Sequence, residues 1–136
     1  MGKNAQSSFE LLFSWGLVLL LFTAMMGVYL DKAGYLARES DALESRAIAE
    51  EFASAANSVH LSGPGALASF WLKHSLKSGE NYTLRVVGNR VEANWSGGIS
   101  DAALLFSNIN STGNISIVAG RETNLSDVGG VVHVFQ

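Results

Sequence analysis

The chain contains no cysteine. Disulfides, thiolate nucleophiles and zinc–sulfur centres are therefore excluded, and rigidity has to come from packing, from neighbours or from attached groups. Charge is also scarce. Asp, Glu, Lys and Arg make up 15% of the residues and the formal net charge is -3. Without a basic field there is nothing to attract a phosphate backbone, so no nucleic acid is expected as a partner. The three histidines, His60, His74 and His133, have no metal-ligand spacing and are expected at the surface or in turns. A phosphate-binding glycine loop, a G-x-S-x-G elbow and an obvious pair of catalytic acids are all missing from the sequence. The expectation is a protein that is not an enzyme and takes no cofactor or metal.

What the chain does have is apolar residues, at 48% of the total over 136 positions. That length suits one domain with a modest core. Residues 11–30 read LLFSWGLVLLLFTAMMGVYL with no charge among them. At ~1.5 Å per residue such a helix spans a bilayer core of ~30 Å. A cleavable secretory signal fits poorly, because the run is long for one and no clean small-x-small site follows it. An ordinary single-pass anchor fits the run equally well.

The residues before the run discriminate further. The chain opens Met1-Gly2-Lys3-Asn4-Ala5 and continues Gln6-Ser7-Ser8-Phe9-Glu10. Glu10 places a carboxylate at the lip of the apolar segment, which costs free energy unless it is compensated. A cut between Ala5 and Gln6 creates a cationic α-amino group four residues before Glu10. Glu10 of one subunit then pairs with the terminal amine of another, a directional contact able to set axial register. Negative charge in the first turns of a helix also favours its dipole.

Gln6-x-Ser8-x-Glu10 directly before a hydrophobic helix resembles the class III signal peptide of archaeal type IV pilins. The resemblance implies a cytoplasmic leader, residues 1–5, removed by a membrane-embedded prepilin peptidase, with Gln6, Ser8 and Glu10 serving processing and assembly. It implies a pilin-like α+β fold in which one long N-terminal helix, apolar in its first half, packs on a small antiparallel β-sheet head. It further implies a structural subunit that sits in the cell membrane as a precursor. It is then assembled, with a pilus assembly ATPase and a membrane platform protein, into a helical homopolymer at the cell surface for adhesion or cell contact. A minor pilin or adhesin of the same class, and a single-pass membrane-anchored glycosylated binding module, are the competing readings.

Residues 31–59 lack proline, hold a single glycine, Gly34, and are rich in Ala, Glu, Arg and Leu. They extend the helix, expected over 6–60. Leu36, Leu43, Ala47, Phe52, Ala55 and Val59 are expected to face the head. Glu39, Asp41, Glu44, Glu50 and Glu51 are expected on the solvated side. Trp15 is expected in helix packing and Met25-Met26 as apolar filler. Gly16, Gly27 and Gly34 permit close packing or local unwinding.

Gly63-Pro64-Gly65 ends the helix, and residues 61–136 form the head. Strands are expected at 66–72, at 82–87 and 90–95 as a hairpin about Gly88-Asn89, and at 101–106, 113–118 and 129–135. Five N-x-Ser/Thr sequons lie here, at Asn81, Asn94, Asn110, Asn114 and Asn124. For this composition chance gives about one. They are expected to be N-glycan acceptors, which places the head outside the membrane.

Overall fold

The computed structural model describes residues 3–107, 109 and 115–136, with nothing further said of the side chains of residues 3–8, 115, 116 and 118. The fold is α+β. One helix, α1 (Lys3–Ser62, 60 residues), precedes seven strands: β1 (Leu67–Trp71), β2 (Tyr82–Val87), β3 (Arg90–Trp95), β4 (Gly98–Ala103), β5 (Ile115–Val118), β6 (Glu122–Val128) and β7 (Val131–Phe135). The chain divides into two compact units, 1–37 and 38–136.

The described residues of the first unit are all helix. Residues 9–39 are all exposed except for their own neighbours along α1. The helix runs through Gly16, Gly27 and Gly34 without a break, and a methyl group at any of the three would meet nothing. Of the two roles the sequence allows these glycines, local unwinding is not used.

The second unit holds the core. The strands form two antiparallel sheets, ordered β1-β6-β7 and β4-β3-β2-β5. The C-terminal half of α1 packs on both. Ile48, Ala49, Phe52, Ala53, Ala56 and Val59 join Leu84, Val86, Val91, Ala93, Ile117, Leu125 and Val132 in one buried cluster. Phe52 is fully enclosed and meets Phe70 of β1 edge-on, with ring centroids 5.5 Å apart and planes at 81°. On the other sheet, the hydroxyls of Ser45 and Ser100 share a hydrogen bond of 2.6 Å.

The docking face of the helix matches expectation at Phe52, Ala55 and Val59 and departs from it nearer the N-terminus. Leu36, Leu43 and Ala47 are exposed, whereas Asp41, Glu44, Ser45, Ile48, Phe52, Ala56 and Val59 are buried. Glu44, Ile48 and Phe52 follow one another at intervals of four, so two acids belong to the packing face and Leu43, about 100° round the helix, is turned outward.

The strands differ from expectation in two places. The fourth strand occupies 98–103 rather than 101–106. The segment 122–128, absent from the expected strands, is the central strand of the three-stranded sheet. Its inward residues are Thr123, Leu125 and Asp127, two of them polar. That pattern hides a strand from a hydrophobic count. Gly129 and Gly130 both have positive φ, at 66° and 85°. They form a two-residue turn, so that Val128 pairs with Val131. The Gly88-Asn89 hairpin forms where expected, with Val87 opposite Arg90.

Candidate functional site

The largest unexplained surface is on the first unit. Between Leu11 and Leu30 fifteen large apolar side chains are exposed. Full burial of such a side chain is worth roughly 1.5 kcal/mol or more, so the run forfeits on the order of 20 kcal/mol in water. A surface of that size requires lipid or protein around it. The helix is long and apolar enough to cross a membrane. The Ser and Thr hydroxyls of the run are satisfied internally. The Ser14 hydroxyl donates to the carbonyl of Glu10 at 2.9 Å, and the Thr23 hydroxyl donates to that of Leu19 at 2.8 Å. Such back-bonding lets a hydroxyl enter an apolar medium without an open donor.

Glu10 stands at the start of this surface and is exposed. Among the described residues it makes no ion pair, so its charge is available to a group from elsewhere. The backbone of Ala5, Gln6 and Ser8 lies within α1.

In the second unit Glu39, Glu50 and Glu51 are exposed as expected, but Asp41 and Glu44 are buried and have a structural task. Glu44 Oε1 accepts from Lys73 Nζ at 2.7 Å, and Oε2 accepts from the backbone N–H of Lys77 at 2.6 Å. Asp41 Oδ1 accepts from the N–H of Ser78 at 3.2 Å. Two acids one helical turn apart thus hold the 73–78 segment by its amides. The Lys73 hydrogen bond and the Lys77 amide lower the Glu44 carboxyl below its ordinary value, outweighing the effect of its burial. Lys73 is raised in turn by the same carboxylate. The Tyr82 hydroxyl donates to the carbonyl of Lys73 at 2.6 Å. Burial first, then the negative charges of Glu44 and Glu51, push Tyr82 up to about 12. Three of the four carboxylate oxygens of Asp41 and Glu44 are thus engaged by Lys73, Lys77 and Ser78. Among the described residues no group of three or more His, Asp or Glu is placed to hold a metal.

His60 is not a free surface group. Its ring stacks on Phe106 at 4.3 Å, and Nδ1 lies 3.6 Å from Oδ2 of the buried Asp127. The other Asp127 oxygen accepts from the N–H of Gly130 at 2.8 Å, fixing the β6–β7 turn.

The sequons separate by environment. Asn81 is exposed in the loop before β2, and Asn124 is exposed on β6. Asn94 lies within β3, and its amide nitrogen is enclosed with no hydrogen-bond partner. The residue is half-buried, so attaching a sugar to that nitrogen requires the side chain to leave this enclosed position. Asn110 and Asn114 lie outside the described residues.

Comparison with known proteins finds no matching family model, no matching curated protein and no matching solved structure.

Proposed function

We propose that the chain is a structural subunit (pilin) of an archaeal type IV pilus-like surface filament, used for adhesion or cell-surface contact. The observation that carries this reading is the pairing of an unpartnered apolar helix surface with a single uncompensated carboxylate, Glu10, at its N-terminal end. An anchor needs the first of these and gains nothing from the second. A subunit that leaves lipid to pack against its own copies uses both. The apolar surface supplies the filament core, and Glu10 meets the new terminal amine of a neighbour. In this reading a prepilin peptidase cuts between Ala5 and Gln6. An assembly ATPase and a membrane platform protein then extract the helix from the membrane. The β-rich head, with sugars on its accessible sequons, forms the outer surface.

The test is Glu10→Ala in the source cells, with fibres imaged by electron microscopy and the subunit's N-terminus determined by mass spectrometry. The expected outcome is a correctly cut subunit that remains in the membrane and forms no fibres. Normal fibres from this variant would refute the role given to Glu10.

A further inference from the structure

The outer face of the three-stranded sheet exposes several large apolar side chains. Strand alternation turns Thr123, Leu125 and Asp127 of β6 inward, with Ala68 and Phe70 of β1 beside them. The opposite face carries Leu67, Ser69 and Trp71 from β1 and Glu122, Asn124, Ser126 and Val128 from β6. It also carries Val131, His133 and Phe135 from β7. Leu67 is 80% exposed, Trp71 68%, Val128 61% and Phe135 53%. These large exposed side chains flank a polar row, Glu122, Asn124 and Ser126, on the central strand, and exposed apolar groups gathered on one face mark a place where something binds.

The register says what. Asn124 is on the central strand, directly opposite Ser69 on one side and Phe135 on the other. Trp71 and Leu67 sit two residues either side of Ser69, within the roughly 7–8 Å diagonal reach across neighbouring strands. Ser69 is small, which leaves a slot between them. The hydroxyl residue of the same sequon, Ser126, lies on this face too, opposite Leu67 and His133. Around the amide of Asn124 stand Leu67, Trp71, Phe135 and His133, with the polar side chains of Ser69, Glu122 and Ser126 between them.

We infer that an N-linked glycan on Asn124 lies down over this face, with the C–H side of its first sugars against Trp71 and Phe135. The inference rests on reading Asn124 as an N-glycan acceptor. Flat aromatic rings bury large area at little entropic cost, and their electron-rich faces favour positively polarised C–H groups. A second protein copy is the poorer occupant. Closing an apolar protein surface over Asn124 would bury an unpaired amide, at a cost of roughly 1–3 kcal/mol. A glycan uses that amide as its point of attachment. Attachment forms the Nδ2–C1 bond, breaks the C1–O bond to a lipid-linked phosphate carrier and releases one amide proton. Because β6 is paired on both edges, the transfer precedes closure of the sheet.

The experiment uses full-length protein from the source cells in detergent. Occupancy of the Asn124 peptide is read by mass spectrometry. Acrylamide quenching of Trp71 is obtained by difference against a matched W71F variant, for the native chain, N124Q, S126A and N81Q. The expected result is a sugar on Asn124 and an increase of about twofold in Trp71 quenching for both N124Q and S126A, as one of two ring faces is uncovered. N81Q leaves quenching unchanged. An occupied Asn124 with quenching unaltered in N124Q and S126A overturns the covering role and leaves the acceptor reading intact. An unmodified Asn124 overturns both at this site.

Discussion

Replacing Glu44 with alanine tests the brace between α1 and the 73–78 segment. The substitution removes a carboxylate that is 8% exposed and holds the Lys77 amide at 2.6 Å. A hydrogen bond from a backbone amide to a buried charged acceptor contributes about 2 kcal/mol net. The bond to Lys73 adds little, because that side chain is mostly exposed and its charge is screened. For a head of this size a loss of about 2 kcal/mol lowers the melting temperature by about 10 °C. The assay is thermal or denaturant unfolding of the full chain in detergent, followed by near-ultraviolet circular dichroism at a series of pH values. The sign of the pH effect follows from the lowered carboxyl. Its stabilisation is complete above the ordinary value of 4.5 and is lost as the pH falls through the lowered folded value. Wild type and Glu44→Ala therefore converge in acid. Glu44→Gln retains an acceptor for the Lys77 amide and falls between the two at neutral pH. A deficit in Glu44→Ala that persists unchanged to acid pH would show that shape, not charge, is what Glu44 provides, and would refute the brace.

Other outcomes follow from the same packing. Phe52→Ala empties the centre of the core and is expected to cost about 3–5 kcal/mol, enough to unfold a marginal head. Leu43→Ala, on the outward face of the same helix, changes unfolding stability by less than about 0.5 kcal/mol. Equal effects of the two on denaturant midpoints would overturn the assigned helix face. Peptide mapping of native protein is expected to find Asn94 unmodified and Asn81 modified. A glycan on Asn94 would contradict the enclosure of its amide nitrogen.

The sequence revealed some parts of this fold because single residues carry unambiguous signals. The long helix was legible from an uncharged run followed by 29 residues without proline. Its end was legible from Gly63-Pro64-Gly65, and the first hairpin from Gly88-Asn89. The missed parts are those where polar residues take apolar places. Asp41 and Glu44 read as solvated charges because nothing in their own helix announces the amides of Lys77 and Ser78, which arrive from more than thirty residues away. Residues 122–128 were not among the expected strands because Thr123 and Asp127 point into the core. The Gly129-Gly130 pair was the available signal there, since two adjacent glycines between short extended segments suit a hairpin turn. At the candidate site, Glu10 and the apolar run were legible as types at a spacing. The sheet face around Asn124, with Leu67, Trp71 and Phe135 on it, was not, because it is assembled from three strands whose register no local pattern encodes.

The central proposal is that this helix is a filament core joined through a processed N-terminus. The most direct measurement is the N-terminal mass of the subunit taken from purified surface fibres of the source cells. The account predicts fibres containing this chain, with its first residue Gln6. Fibres built from chains that still carry Met1, or a membrane-retained chain beginning at Met1 with no fibres, would contradict it.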